Sequence, residues 1–235
     1  RDNEGLCEIT NEYDGEKVTS ERALNEFDIF IRHSQAVPII RKVLKIENAK
    51  HQLNKVVSSR KPFALPTNYK PAKKGIKCYF TQRIGLQYAK EEDVKDRYKI
   101  TDKWKLLIPA APIAGQTDFS KPVGFYYNGN TRIAKPGEIC TESWLVACAF
   151  SKEEEVLSFK SYLFTKTVRF LLLQTVVSQH VTREKFVFIP HMEKYDTEFT
   201  DDILRERWNI TDEEWTFIDS KIKAVELINN IGGNE

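Results

Sequence analysis

The apolar residues change their spacing along the chain, and that change sets the fold class. Between residues 76 and 149 they come in short runs of period two. Ile76-Lys77-Cys78-Tyr79-Phe80 and Ile84-Gly85-Leu86-Gln87-Tyr88 read as two strands joined by a short polar turn, a hairpin. Lys103 to Ile108 reads as a strand closed by Pro109, with further strands expected at 122–127 and 143–149. From 151 onward the spacing is mostly helical. Ser151-Lys152-Glu153-Glu154 has the form of a capping box and predicts a helix start at 151, followed by Val156, Leu157, Phe159 and Leu163. A break near Thr165 leads into an apolar helix from Val168 to Val177. Thr200-Asp201-Asp202 opens a short helix carrying Ile203, Leu204 and Trp208. Thr211-Asp212-Glu213-Glu214 is a second capping box ahead of Trp215, Ile218, Ile222 and Val225. One run departs: Lys185-Phe186-Val187-Phe188-Ile189 alternates, ends at Pro190 and reads as a strand. The polar tail from Asn229 to Glu235 is expected to fray. The expectation is an α+β fold, a mixed or antiparallel sheet with helices mainly in the C-terminal half.

The N-terminal part adds a helical connector. Phe27-Asp28-Ile29-Phe30-Ile31-Arg32 alternates as a strand would. Val37, Ile40, Val43 and Leu44 then recur at helical spacing, with Pro38 in the first turn where it is tolerated. A second helical run is expected over 48–58. Pro62, Pro66 and Pro71 make 61–73 a loop, and 109–121 is a second long one. The expected division is a connector over 1–60 from an upstream catalytic domain, an α+β domain over 61–190 and a C-terminal helical cap over 191–235.

Composition excludes several classes. With 41% hydrophobic residues and 14 Phe, 9 Tyr and 4 Trp the chain is not intrinsically disordered. No run approaches the roughly 20 apolar residues of a membrane span, and four cysteines in a chain this long read as reduced, mostly buried thiols of a cytoplasmic protein. Cys7, Cys78, Cys140 and Cys148 form no C-x-x-C pair, and His33, His51, His180 and His191 show no metal spacing. The ten glycines contain no G-x-G, and no two of the nine prolines are adjacent. A nuclease would need clustered carboxylates and a lysine. Only scattered fragments such as Asp93-Val94-Lys95 and Asp219-Ser220-Lys221 occur. A chain silent in catalysis, with no cofactor of its own, is the expectation. The sole methionine is Met192, which fits a piece of a longer protein.

The net charge of +2 conceals a polarity. Residues 55–105 carry 14 basic and 5 acidic groups, whereas 191–235 carry 5 and 12. In the basic segment Lys70, Lys73, Lys74, Lys77, Arg83 and Lys90 interleave with Tyr69, Tyr79, Phe80 and Tyr88. Cations neutralise phosphates and aromatic faces stack on bases, so this segment is a candidate polyanion site. Gln179, Thr182, Arg183 and Lys185 lie in a polar loop, where Gln and Arg suit bidentate contacts to purine edges. Asn68 and Asn130 are weaker candidates in loops, where turn formation also accounts for them. The acidic C-terminal region repels phosphate and suits a cap or a partner surface.

Several segments resemble one family. Lys135-Pro-Gly-Glu-Ile-Cys-Thr-Glu-Ser-Trp-Leu-Val is similar to the C-T-E-T-Y-L-V strand of adenine-specific restriction–modification methyltransferases. Phe150, Ser161-Tyr162-Leu163-Phe164-Thr165-Lys166, Arg169-Phe170-Leu171, Gln179-His180-Val181-Thr182-Arg183 and Phe186-Val187-Phe188-Ile189-Pro190 follow in the family's order. Asp202-Ile-Leu to Asn209-Ile-Thr-Asp-Glu-Glu-Trp resembles its closing pattern. Lys61-Pro-Phe-Ala-Leu-Pro-Thr-Asn resembles the family's K-P-F-G-L-R-T-N, with Ala64 where the family often has glycine and Pro66 in place of a basic residue. The resemblance spans about 27–225. It implies a target recognition domain that reads double-stranded DNA, working with an upstream methyltransferase domain of the same polypeptide. That parent would use S-adenosylmethionine, and magnesium if it also cleaves DNA. A restriction nuclease domain and a protein–protein docking module are the alternatives.

Overall fold

The structure, a computed structural model, describes residues 5–13, 15–48, 51–113 and 115–225. It opens on a two-stranded antiparallel ribbon, β1 (Leu6–Tyr13) and β2 (Glu16–Ala23). The ribbon is fastened to the body by two polar side chains. Asn11 donates to the Arg32 carbonyl (3.2 Å) and accepts from the Ser34 N–H (3.1 Å). Arg22, 7% exposed, pairs with Glu26 (2.7 Å) and donates to the Ile31 carbonyl (3.1 Å). Helix α1 (Ala36–Ile46) follows with Pro38 in its first turn, and buries Val37, Ile39, Ile40 and Val43.

Two small sheets make the middle of the chain. One has the order β4-β3-β7, from β3 (Ile76–Tyr79), β4 (Leu86–Ala89) and β7 (Glu138–Cys140). Strands β3 and β4 form the antiparallel hairpin expected from the sequence, and β3 and β7 run parallel. The other has the order β6-β5-β8, from β5 (Trp104–Pro109), β6 (Arg132–Ala134) and β8 (Trp144–Phe150), all antiparallel. Four helices follow: α2 (Glu153–Phe164), α3 (Lys166–Leu173), α4 (Asp201–Arg207) and α5 (Asp212–Lys221). The fold is therefore α+β.

The β6-β5-β8 sheet stands between two cores because its central residues alternate. Leu106, Ile108, Leu145 and Ala147 face a large core built with α1, α2, α3 and the C-terminal helices. Leu107, Trp144 and Val146 face a smaller one with Phe63, Leu65, Cys78, Phe80 and Ile139. Burial on both faces explains why β5 and β8 read as nearly continuous apolar runs. Each such side chain stabilises the fold by about 1.5–3 kcal/mol, before conformational entropy is set against it. Residues 31–57 contribute Ile31, Leu53 and Val57 to the large core, so they are built into the body that follows them.

Two polar groups inside are matched by the backbone. The Lys105 ammonium, fully buried, donates to the carbonyls of Ile100 (3.1 Å), Thr101 (2.9 Å), Lys103 (2.5 Å) and Lys135 (3.3 Å), closing the loop ahead of β5. The first residue of α4, Asp201, caps α3 by accepting from the N–H groups of Lys166 (2.9 Å) and Thr167 (2.8 Å). All four cysteines are free thiols. No helix of the described residues is long and apolar enough to cross a membrane.

Several local expectations are corrected. Phe27 to Arg32 forms no strand; side-chain contacts hold it instead, Phe27 lying edge-on to Phe188 at 5.2 Å. The helix expected over 48–58 is reduced to a 3-10 turn at Leu53–Lys55, because Gln52 and Leu53 pair with Pro190 and Ile189. In 122–127 only Val123 pairs, as a single bridge to Ile222. Residues 185–189 lie on a 3-10 turn, Arg183–Phe186, and its continuation, and Phe186, Phe188 and Ile189 are all buried. The start of α2 moves to Glu153, with the Glu155 carboxylate returning to the Lys152 N–H (3.1 Å). Helix α3 begins at Lys166, because Thr165 and Asp201 cap it there, and ends at Leu173. The tail 229–235 lies outside the described residues.

Candidate nucleic-acid interface

The loop 59–65 is held by its own apolar residues. Phe63 and Leu65 are buried in the smaller core beside Cys140 and Trp144. Between them the backbone makes a tight turn, the Ala64 N–H donating to the Lys61 carbonyl (3.0 Å). Lys61 (φ +56°) and Ala64 (φ +66°) both sit in the left-handed region. For a residue with a Cβ that conformation costs roughly 1–2 kcal/mol, and glycine avoids the cost. Ala64 thus occupies a position whose backbone favours the glycine that the resembled family often has there.

The second motif meets the first at Glu142. Its N–H donates to the Leu65 carbonyl (2.9 Å). Its carboxylate, 11% exposed, pairs with Arg60 (2.6 Å) and Lys61 (3.5 Å), whose side chains are 64% and 49% exposed. Ser58 is locked to β8, its Oγ accepting from the Val146 N–H (2.9 Å) and its own N–H donating to the Val146 carbonyl (2.9 Å).

The third motif arrives through Tyr98. Its hydroxyl donates to Ser59 Oγ (2.8 Å) and accepts from the Ser59 N–H (2.8 Å). The positive charge of Arg183 acts on the same oxygen. Burial opposes ionisation of Tyr98, but the bonds to Ser59 and the charge of Arg183 outweigh it and hold the phenol below its ordinary value. Residues 59–65, 98, 140–144 and 183, far apart in sequence, therefore converge. Around them Lys95, Arg97, Lys99 and the half-exposed Arg183 supply further positive charge.

The other candidates are placed as follows. Asn68, Lys70, Lys73, Lys74, Lys77 and Arg83 are exposed, on the loop before β3, on β3 and in the hairpin turn. Lys77 stands opposite Tyr88, which is also exposed. Lys73, Lys74 and Lys90 border a shallow cleft that Glu91 and Glu92 share, which dilutes its positive character. Gly75 (φ +136°) lets this loop press against β4, since a Cβ there would lie 2.0 Å from the Ala89 carbonyl oxygen. Gln179 is exposed, while Thr182 and Lys185 are half-buried. Thr182 is engaged by Glu184, whose carboxyl it helps to hold below the usual range. Asn130 closes a turn by donating to the Tyr127 carbonyl (3.1 Å). Among the described residues no hydrogen bond or ion pair joins the β3–β4 lysines to the 179–185 loop.

The aromatic candidates are narrowed. Phe80 is fully buried and cannot stack on a base. Tyr79 donates to Glu138 (3.2 Å); burial and that carboxylate push its pKa up to about 12. The Tyr69 hydroxyl donates to Asp93 (2.7 Å), and its ring stacks on Phe80 at 6.1 Å. Tyr88 keeps an exposed ring. Ser59, Arg60, Tyr98 and Glu142 were missed as site residues. No spacing in the sequence links them, though Arg60 and Glu142 adjoin or belong to recognised motifs.

No group of three or more His, Cys, Asp or Glu that could hold a metal ion occurs among the described residues. Comparison with family models, with curated proteins and with solved structures returns no match to this chain.

Proposed function

We propose that this chain recognises duplex DNA as the target recognition part of a cytoplasmic, adenine-specific restriction–modification methyltransferase. The observation that supports this reading is the convergence of the 59–65, 140–144 and 179–183 segments on one basic surface around Tyr98. Phosphate contacts position a protein on the duplex and base-edge contacts specify sequence. The Arg183 region and the lysines of the β3–β4 hairpin supply the former; exposed Gln179 and Asn68 supply donors and acceptors for the latter. On this reading S-adenosylmethionine binds the upstream methyltransferase domain, and magnesium serves the whole enzyme if it also cleaves.

Fluorescence anisotropy with a labelled duplex tests the reading. Binding at low salt that weakens steeply as salt rises is expected, because each neutralised phosphate adds about −0.9 to the slope of log K against log salt. No binding at low salt refutes it. Incubation with plasmid and magnesium separates the nuclease alternative, for which nicking would be required.

A further inference from the structure

The β3–β4 hairpin ends in a turn that is fixed at its base and bare at its tip. Phe80, fully buried, closes the connection: its N–H donates to the Gly85 carbonyl (3.0 Å), and its carbonyl accepts from the Trp144 indole N–H. The N–H groups of Ile84 (3.0 Å) and Gly85 (2.9 Å) both return to the Thr81 carbonyl. The turn is thus anchored on the smaller core. Beyond the anchor Gln82, Arg83, Ile84 and Leu86 are all exposed, Ile84 by 44% and Leu86 by 39%. Among the described residues neither the Gln82 amide nor the Arg83 guanidinium has a hydrogen-bond or ion-pair partner. No acidic residue occurs from Ile76 to Lys90. Glu91 and Glu92 follow the far end of β4, away from the turn, and the carboxylate of the adjoining strand, Glu138, is 6% exposed and taken by Tyr79 (3.2 Å) and the Lys135 N–H (2.9 Å). Large apolar side chains grouped in water mark a contact surface.

We propose that the tip of the β3–β4 hairpin enters the major groove of the duplex and reads base edges there, with Gln82 and Arg83 as specificity-determining contacts. The inference rests on the duplex-binding reading and adds which element enters a groove and which side chains read sequence. The dimensions fit: paired strands lie about 4.8 Å apart, and the major groove, about 12 Å wide, admits a two-stranded ribbon. The chemistry fits as well. A guanidinium pairs with the two acceptors of guanine, an amide with the acceptor and donor of adenine, and an apolar side chain packs on the thymine methyl. Arg83, Gln82 and the pair Ile84 and Leu86 present all three at one turn. Exposed Lys77 and Lys90, farther along the hairpin, supply charge for the phosphates that flank the groove. A hairpin that bound phosphates alone would gain nothing from Ile84 and Leu86 in water.

The test uses the whole chain. A pool of duplexes with a randomised central segment is enriched by the wild type, and the recovered sequences define its preference at each base pair. Arg83→Ala is expected to keep non-specific duplex binding and its salt slope, and to lose roughly 5- to 150-fold discrimination at one base pair while the others are unchanged. Gln82→Ala is expected to relax a neighbouring base pair in the same way. Both side chains are exposed, so the urea midpoints should match the wild type. Retained binding with unchanged preferences in both variants overturns this inference alone and gives the tip another partner. A uniform loss across the pool, with a salt slope smaller by about 1, makes Arg83 a phosphate contact and overturns its reading role. Wild-type binding that enriches no sequence overturns the inference too. Absence of wild-type binding at low salt overturns the duplex reading and this inference with it.

Discussion

Ala64→Gly is expected to stabilise the protein, against the usual effect of that change. Alanine to glycine normally destabilises, since glycine loses more backbone freedom on folding, by about 0.5–1 kcal/mol. At Ala64 the native φ is +66°, where a Cβ costs roughly 1–2 kcal/mol that glycine does not incur. The second figure exceeds the first, and the net gain is about 0.5–1 kcal/mol. The side chain is only half-buried and the flanking anchors, Phe63 and Leu65, are untouched, so little packing is lost. Equilibrium urea unfolding reads the change. With a slope of about 2.5 kcal/mol per M, the midpoint should rise by about 0.2–0.4 M at constant slope. Ala72→Gly, at a position without positive φ, is the control and should lower the midpoint. A midpoint that falls for Ala64→Gly by as much as for the control would refute the claim that the 61–64 turn imposes a left-handed residue.

Two other outcomes are expected. Glu142→Gln removes the carboxylate shared by Arg60 and Lys61. Affinity for non-specific duplex should rise and the salt slope should steepen by up to about 2, read by anisotropy; an unchanged slope would place those cations away from DNA. His33, 1% exposed, is buried against Phe170 and Phe217 with Gln174 bonded to its ring (2.9 Å); burial lowers its pKa from 6.5 to about 4. The unfolded chain then takes the proton first. Stability is full above about pH 6.5 and falls as pH drops toward 4, by about 3 kcal/mol. Urea midpoints from pH 7.5 to 4.5 should fall less steeply in His33→Gln than in wild type, and parallel lines would show that His33 is not the titrating group.

The fold was legible where a local signal and burial agreed. Thr211 and Glu214 form the reciprocal capping box that their spacing announces, the Glu214 N–H bonding to Thr211 Oγ1 (3.2 Å) and the Thr211 N–H to the Glu214 carboxylate (2.9 Å). The β3–β4 hairpin follows its alternation in the same way. The errors came where period two meant burial on both sides of a turn rather than a strand. Phe186 and Phe188 alternate in sequence, yet the chain there is a turn, because Leu53 and not a neighbouring strand takes the Ile189 carbonyl (2.8 Å). The β1–β2 ribbon was missed despite Asp14-Gly15 between alternating residues, a recognised hairpin signal. Its half-buried side includes Asn11, Ser20 and Arg22, so no hydrophobic stripe marked it.

The site was legible as charge and illegible as arrangement. Counting lysines and arginines located segment 55–105, and counting cannot distinguish a neutralised cation from an available one. Lys105 belongs to that excess, yet it is sunk among four carbonyls, and burial lowers its pKa to about 8. Lys73, Lys74 and Lys90 share their cleft with two glutamates. The distinction rests on pairings between residues 39 or more positions apart, such as Tyr98 with Ser59 and Glu142 with Arg60. Sequence patterning resolves periods of two and 3.6 residues, and none of these separations has a period. What did carry across the distance was the order of short motifs. It brought 61–68, 140–146 and 179–183 to attention separately; the first two meet because Phe63, Leu65 and Trp144 are buried in one core, and the third is placed beside them by Val181, buried in the other core and bonded through Ala110 to Ser143. The electrostatics of the surface are thus a consequence of core packing. A substitution that loosened Phe63 or Trp144 would scatter the cations without touching any of them.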